Sequence, residues 1–301
     1  MIEGQQGFCC GFVALAGAPN SGKSTLLNHF LDFKAAITSA KPQTTRTRIL
    51  GVWTGEKAQI IFLDTPGIHP PRSKLHQVMV QAALKTLPQA DAIVWLVDVA
   101  RPRPEDEALV LDSLRRIKKP VLLALNKIDL VRKPALLPMI DRFARLLDFA
   151  AVVPISARRG DGLEALREEL IALMPPGGPL FPAEMITDQP ERVLAAEFIR
   201  EKVIRLTRQE VPYGVAVEVT DFTERPGGQT IFIRAEIVVA RESHRGIIIG
   251  AKGARLKEIG QAAREEIERL LGAKVFLELF VRVDKDWVNQ EAAIQRLGYQ
   301  W

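Results

Sequence analysis

The stretch GAPNSGKS at positions 17–24 fits the pattern G-x-x-x-x-G-K-[ST] and lies between an apolar run at 12–16 and a helix-like segment. This strand, loop and helix context makes the pattern informative, although a glycine-rich turn before a buried helix is the alternative. Glycines let consecutive N–H groups point at phosphate oxygens, the lysine adds charge, and the serine hydroxyl can bind Mg²⁺. The pattern predicts a nucleoside triphosphate site formed by Gly17, Ala18, Pro19, Asn20, Ser21, Gly22, Lys23, Ser24 and Thr25.

The tetrapeptide NKID at 126–129 follows the apolar run 121–125 and indicates which base is bound. Guanine presents N1–H and its amino group as adjacent donors, which the carboxylate of Asp129 can accept, while Asn126 can serve the N7/O6 side. Adenine lacks this donor pair and would leave a buried polar group unpaired, at a cost of about 1–3 kcal/mol. We therefore predict a guanine nucleotide, with contacts from Asn126, Lys127 and Asp129.

Two other loops also follow apolar runs. In DTPG at 64–67, Asp64 can hold a water on Mg²⁺, and the N–H of Gly67 can meet the γ-phosphate, a contact that exists only with the triphosphate. In SAR at 156–158, backbone N–H groups can point at the guanine oxygen. The predicted nucleotide contacts in these loops are Asp64, Thr65, Pro66, Gly67, Ile68, Ser156 and Ala157.

The polar stretch KPQTTRTR at 41–48 precedes a predicted strand and is interpreted as a switch segment, with a solvated basic loop as the alternative. Thr45 is the predicted Mg²⁺ ligand and γ-phosphate sensor, because its Thr-Arg pair leads straight into the strand. Thr44 is the second candidate. The predicted metal ligands are therefore Ser24, Thr45 and Asp64, and the predicted catalytic residues are Lys23, Thr45 and Gly67.

These five elements, in this order within residues 1–175, resemble a translation-factor-related GTPase domain. PNSGKST, PQTTR, DTPG, NKID and SA together resemble the Era family, bacterial ribosome-assembly GTPases that carry a C-terminal KH domain. The resemblance implies hydrolysis of GTP to GDP and phosphate with Mg²⁺ as cofactor.

Ile68 departs from the scheme of Ras-like enzymes, which place at this position the glutamine that orients the attacking water. Isoleucine cannot hydrogen-bond water, so we expect slow hydrolysis that relies on backbone groups, ordered waters or a partner. The resemblance adds one option, because related GTPases with asparagine at the position of Asn20 use it to hold K⁺ beside the phosphates. A loop-shaping role for Asn20 is an equal alternative.

Length and composition agree with two globular domains, since the chain has 301 residues and is 47% hydrophobic. No apolar run reaches about 18 residues and no signal-peptide pattern opens the chain, so we expect a cytoplasmic protein.

Residues 1–180 carry 23 basic and 17 acidic side chains, a net of +6, whereas residues 181–301 carry 18 and 19, a net of −1. Any RNA affinity of the second half must therefore come from local placement of charge.

Strand-like and helix-like segments alternate from 11 to 174, which predicts an α/β fold with a mostly parallel sheet flanked by helices. A hairpin at 52–63 is expected to add one antiparallel strand. PPGGPLFP at 175–182 has the composition of a linker. We predict a P-loop GTPase domain at 1–175, a linker at 176–190 and an α+β KH domain at 191–301.

The second half has the order helix, two strands, two helices around GAKG at 250–253, and a last strand, which resembles a KH domain of bacterial topology. Glycines in a G-x-x-G loop let the backbone approach a nucleic-acid strand, and flanking cations can meet about four nucleotides of single strand. An apolar row at 247–249 could support bases or belong to the core. The predicted RNA contacts are Arg245, Ile247, Ile248, Gly250, Ala251, Lys252, Gly253 and Arg255.

The resemblance implies a switch that binds the 3′ end of 16S rRNA and assists assembly and maturation of the small (30S) ribosomal subunit. It also implies peripheral association with the inner membrane, and we expect a monomer. The alternative function is a membrane- or protein-associated GTP sensor whose second domain contacts a partner other than RNA.

Overall fold

The computed structural model describes residues 7–39, 41–207, 211–224 and 230–299. The chain forms two compact units. The first contains the chain up to Ala36 together with Thr45–Pro71 and Met79–Asp188, and the second contains Ile37–Thr44, Arg72–Val78 and the chain from Gln189 onwards. None of the helices in the described ranges is both long and apolar enough to cross a membrane.

A six-stranded sheet forms the centre of the first unit, with strand order β2-β3-β1-β4-β5-β6. All neighbours pair in parallel except β2 and β3, which form the predicted antiparallel hairpin. The strands are β1 (Cys9–Gly17), β2 (Ile49–Thr54), β3 (Ala58–Asp64), β4 (Ala92–Asp98), β5 (Val121–Asn126) and β6 (Ala151–Ile155). The helices that alternate with them are α1 (Lys23–Leu31), α2 (Lys74–Thr86), α3 (Pro104–Leu114), α4 (Leu136–Ala144) and α5 (Leu163–Leu173).

The central strands β1, β4 and β5 are apolar up to their carboxyl ends because both of their faces are buried. Along β1, Val13 and Leu15 join one hydrophobic cluster, while Ala14 and Ala16 join another. Successive strand residues point to opposite faces, so the two clusters are the cores on the two sides of the sheet. The same alternation in β4 places Ala92, Val94 and Leu96 in the first cluster, and Ile93, Trp95 and Val97 in the second.

The segment predicted as the start of a linker is instead hydrogen-bonded to the first unit. The N–H of Cys10 donates to Pro175 O at 3.0 Å, and the N–H of Val52 donates to Ile186 O at 2.8 Å. Buried Gln59 donates its amide to Phe181 O at 2.8 Å and accepts from the N–H of Phe181 at 3.0 Å. A proline- and glycine-rich composition indicates only that no helix or strand forms. A segment that is hydrogen-bonded along the surface of a domain, here called the strap (residues 175–187), therefore has the same sequence character as a free linker.

The second unit has a three-stranded sheet in the order β7-β8-β9, with β7 and β8 antiparallel and β8 and β9 parallel. Its strands are β7 (Val215–Glu224), β8 (Thr230–Val239) and β9 (Lys274–Val283), and its helices are α6 (Glu191–Leu206), α7 (Glu242–Ile249), α8 (Ala254–Leu271) and α9 (Glu291–Arg296). Apolar side chains of α6 and α8 pack with those of the strands in one core. The predicted KH order of elements is confirmed.

Candidate nucleotide site and nucleic-acid interface

The phosphate loop connects the end of β1 to the start of α1, as predicted. Gly17 and Gly22 have φ of 151° and 103°, which L side chains rarely adopt. A Cβ atom at Gly17 would lie 2.5 Å from Leu96 O, and one at Gly22 would lie 2.2 Å from Asn126 Nδ2. The loop therefore needs glycine at both positions for conformation and for space.

Lys23, the first residue of α1, lies almost completely buried beneath this loop. Its ammonium donates to Gly17 O at 3.1 Å and to Ala18 O at 3.0 Å. Burial lowers the pKa of Lys23 to about 8, although nearby Asp64 raises it. The loop carbonyls thus hold one positive charge at the place where phosphates would bind.

Three side-chain oxygens converge beside Lys23. Ser24 Oγ lies 2.7 Å from Thr45 Oγ1 and donates to Asp64 Oδ2 at 2.7 Å. Asp64 is fully buried, and its Oδ1 has no hydrogen-bond partner among the described residues. Mg²⁺ prefers oxygen ligands, and the three side chains supply only oxygens, one of which is a carboxylate oxygen without a hydrogen-bond partner. These residues therefore fit a Mg²⁺ site. Thr44, the second threonine candidate, instead donates its hydroxyl to Lys41 O at 2.9 Å.

Asn126 is buried at the end of β5 and connects three loops. Its Nδ2 donates to Ser21 O at 2.7 Å, and its Oδ1 accepts from the N–H groups of Lys127 and Ala157 at 2.8 and 2.9 Å. The sequence predicted that this side chain faces the N7/O6 side of guanine. In the structure its carboxamide instead ties the phosphate loop to the loop at 156–158.

Asp129, the predicted guanine acceptor, is held in place by a neighbouring hydroxyl. Ser156 Oγ donates to Asp129 Oδ1 at 2.8 Å, and Arg159 Nε lies 3.9 Å from Asp129 Oδ2. The N–H of Ser156 donates to Asp161 O at 2.9 Å, and the N–H of Ala157 goes to Asn126. The two backbone donors predicted to meet the guanine oxygen are therefore used inside the protein, one within its own loop and one by the carboxamide of Asn126.

Lys127 lies between the two nucleotide loops in the left-handed backbone region, with φ of 71°. Its ammonium donates to Asn20 O at 2.8 Å and forms an ion pair with Asp98 at 2.5 Å. Sequence reasoning missed Asp98, Arg159 and Asp161. Their only signal was position, since Asp98 ends a strand and the other two follow SA by a few residues.

The DTPG loop approaches the phosphate loop closely. A Cβ atom at Gly67 would lie 2.6 Å from Pro19 N, and the N–H of Ile68 donates to Gly17 O at 3.1 Å. Thr65 Oγ1 donates to Leu15 O at 2.8 Å. The Ile68 side chain is only 2% exposed and packs in a hydrophobic core, so it serves the fold and offers nothing polar to water.

The G-x-x-G loop joins α7 to α8 in a strained backbone turn. Gly250, Lys252 and Gly253 have φ of 70°, 50° and 79°. A Cβ atom at Gly250 would lie 2.9 Å from Arg255 Cβ, whereas one at Gly253 would meet no atom within 4 Å. Gly250 is thus required by packing, and Gly253 leaves open backbone that a ligand strand can approach.

A groove of about 430 Å³ runs from this loop between α8 and β9. Leucines from both elements line it, and Gly260 contributes a stretch of its wall that has no side chain. Of the residues that line this surface, the predicted RNA contacts include only Gly253, although helical spacing from the loop places the others from α8 on one face of that helix. The lining residues are Gly253, Leu256, Lys257, Gly260, Gln261, Arg264, Leu277 and Leu279.

The predicted RNA contacts on α7 need correction. Ile248 is completely buried in the core of the second unit, so the prediction that it contacts RNA is wrong. Ile247 is 36% exposed, and Arg245 forms a surface ion pair with Glu242 at 3.0 Å. Because α7 packs one side on the sheet, its three consecutive isoleucines cannot all face solvent.

Two family models match the chain, one described as 50S ribosome-binding GTPase over residues 12–127 and one as KH domain over residues 210–288. The GTPase Era of Geobacter metallireducens is 51% identical over 97% of this chain and 98% of its own length. The GTPase Era of Ruminiclostridium cellulolyticum is 49% identical over 96% and 97%.

Two solved structures superpose on nearly the whole chain. A variant of Aquifex aeolicus Era bound to GDP and AlF₄⁻ has a TM-score of 0.94 and 43% identity, over 98% of this chain and all of that one. Era in complex with MgGDPNP and nucleotides 1506–1542 of 16S ribosomal RNA gives the same values. With the phosphate loop, the guanine motif and the G-x-x-G groove in place, this chain belongs to the Era family of GTPases.

Proposed function

We propose that this GTPase binds the 3′ end of 16S rRNA with its second unit and assists assembly of the small ribosomal subunit as a nucleotide-controlled switch. The observation that supports RNA binding most directly is the groove beside the G-x-x-G loop. Its leucines can contact unstacked bases, and its cations can pair with the phosphates. The Era structure with 16S rRNA nucleotides, similar over 98% of this chain, supports the choice of RNA. The RNA contacts proposed are the loop 250–253, Arg255, Lys257 and Arg264.

Ser24, Thr45 and Asp64 are the proposed ligands of Mg²⁺, directly or through water. Ser24 Oγ already lies within hydrogen-bonding distance of both Thr45 and Asp64, which supports a preorganised site. When bound, the ion would neutralise charge on the phosphate oxygens. Lys23 adds a second positive charge from the phosphate loop, and the N–H of Gly67 is proposed to meet the γ-phosphate.

Guanine selectivity is assigned to Asp129, oriented by Ser156. Its two carboxylate oxygens can accept both donors of the guanine edge, whereas an adenine would leave one oxygen desolvated and unpaired. Asn126 contributes to nucleotide binding indirectly, because it holds Ser21 and Ala157 in their loops.

The attacking water is not oriented by the side chain of Ile68, which is buried. A K⁺ ion held by Asn20 stays a prediction, as does the loop-shaping role that its φ of 65° supports. Equal hydrolysis rates in Na⁺ and K⁺ buffers would exclude the K⁺ role.

The monomeric state, the cytoplasmic location and the peripheral contact with the inner membrane also stay predictions.

The test is GTP hydrolysis and RNA binding with a short RNA copying the 3′ end of 16S rRNA, beside a scrambled RNA of equal length. We expect tight binding that depends on a GTP analogue and faster hydrolysis with the specific RNA only. The double variant Lys252→Asp with Gly253→Asp should lose RNA affinity and keep basal hydrolysis. Normal RNA binding by this variant contradicts the proposed surface, and absent binding by the native protein favours a sensor with another partner.

A further inference from the structure

Helix α6 carries a charged side chain that none of the nucleotide motifs includes. Arg200 is completely buried, and its guanidinium forms a two-bond fork with Glu197, at 2.7 Å from Nε and 2.6 Å from Nη2. Nη2 also donates to Thr44 O at 2.5 Å. Thr44 directly precedes Thr45 in the switch segment.

The segment Ile37–Thr44 belongs to the same compact unit as α6 and is held there at further points. Ile37 is part of that unit's hydrophobic core. The N–H of Thr38 donates to Glu201 Oε1 at 3.0 Å. Lys41 donates its ammonium to two carbonyls at the end of the helix, those of Ile204 and Thr207. Helix α6 and the residue that follows it therefore hold this segment at Thr38, Lys41 and Thr44.

Burial of a guanidinium is costly unless every donor is paired. Arg200 Nη1 has no hydrogen-bond partner within the described ranges, so the site is not optimised for stability alone. Burial alone would lower the pKa of Arg200, but Glu197, together with Tyr299 and Glu201, outweighs burial and keeps the pKa above its ordinary value. A permanent charge with a planar fork gives a directional bond that a neutral side chain cannot reproduce.

We infer that Arg200 is a positioning residue for GTP hydrolysis, which fixes the main chain entering Thr45 by holding the carbonyl of Thr44. The hydroxyl of Thr45 bonds to Ser24 in the magnesium site, and a shift of its backbone would remove it from there. The inference rests on the role proposed for Thr45, which Thr45→Ala tests separately by its own loss of hydrolysis.

The experiment compares Arg200→Gln and Arg200→Lys with Arg192→Gln. Arg192 is the control because it lies on α6 and donates to a carbonyl outside the switch segment, that of Val219, at 3.0 Å, although it is exposed where Arg200 is buried. For each protein we would measure kcat, KM, and the affinities for GDP and for a non-hydrolysable GTP analogue over a range of Mg²⁺ concentrations. Thermal unfolding of each variant is recorded in parallel.

Arg200→Gln should lower kcat about tenfold or more, as expected when a catalytic group is misplaced by a fraction of an ångström. Affinity for the GTP analogue should fall and its Mg²⁺ requirement rise, while GDP affinity stays unchanged because GDP has no γ-phosphate for Thr45 to meet. Arg200→Lys, which keeps the charge and loses the fork, should lie between native and Arg200→Gln.

A kcat equal to that of Arg192→Gln, or equal losses of GDP and GTP-analogue affinity, would overturn the inference. If Arg200→Gln does not fold, Arg200→Lys decides by the same criteria. If Thr45→Ala hydrolyses GTP normally, the proposed role of Thr45 fails, whatever the Arg200 variants do.

Discussion

At the scale of the residue, burial sets the charge states in the magnesium site. Burial raises the pKa of Asp64 to about 6, while the charge of Lys23 and the hydrogen bond from Ser24 lower it. A protonated carboxyl cannot bind a metal ion, so a proton and Mg²⁺ compete for this group below that pH.

The apparent Mg²⁺ affinity of the complex with a GTP analogue should therefore depend on pH. Because the pKa of Asp64 is raised to about 6, affinity should be nearly constant above that pH. Below it, affinity should fall by up to about tenfold per pH unit, since one proton is displaced per ion. Mg²⁺ titrations with a fluorescent analogue across the acidic range measure this. Asp64→Asn should lose most of the affinity and show a shallower pH dependence, because only the terminal phosphate of the analogue still titrates there. Equal pH dependence of the native protein and this variant contradicts the assignment.

At the scale of the element, α8 has a glycine at Gly260, where the groove needs an absent side chain. Glycine inside a helix is less stable than alanine by roughly 0.5–1 kcal/mol. A Cβ atom there would lie 3.4 Å from Leu279 Cδ1, an ordinary van der Waals contact. Helix stability is thus lower than it could be at a position that lines the groove.

Gly260→Ala should raise the free energy of unfolding by about 0.5–1 kcal/mol, because the gain in helix propensity meets no clash. The same methyl group should weaken RNA binding, since it narrows the groove. Denaturant unfolding and RNA titration measure the two effects. Gly246→Ala is the control, as Gly246 lies in α7 with open space around it and does not line the groove. An unchanged RNA affinity of Gly260→Ala would contradict the groove as the binding surface.

At the scale of the whole molecule, net charge does not identify the RNA-binding part. The chain carries +5, yet residues 181–301 sum to −1, from 18 basic and 19 acidic side chains. Four cations of this half lie around the G-x-x-G loop and groove, namely Lys252, Arg255, Lys257 and Arg264.

Few phosphate contacts should produce a modest salt dependence of RNA binding. With three or four contacts, the slope of log affinity against log salt should be about −2 to −3, since each contact adds about −0.7 for single strands. Lys257→Gln with Arg264→Gln should make the slope shallower by about 1.4. Lys274→Gln is the control, because this exposed cation does not line the groove. A much steeper native slope would indicate a wider electrostatic surface.

The sequence by itself determined the fold class and the kinds of chemistry, because these depend on local patterns. Alternating strand-like and helix-like segments predicted a mostly parallel sheet flanked by helices, and the loops that follow the apolar runs carried the phosphate, magnesium and guanine motifs. The order of elements around GAKG predicted the KH unit. Glycines at 17, 22 and 250 were interpretable in advance because a positive φ or a close backbone approach is a local requirement.

Only the tertiary structure decided which atoms meet. Asn126 bonds to Ser21, 105 residues away, so its role as a tie between loops has no local signal. Thr45 rather than Thr44 reaches Ser24, and Ile248 is buried beside an exposed neighbour, because backbone direction selects one of two adjacent side chains. The strap at 175–187 and the contact of Arg200 with Thr44 depend on packing between distant segments, and such packing leaves no periodicity in the sequence.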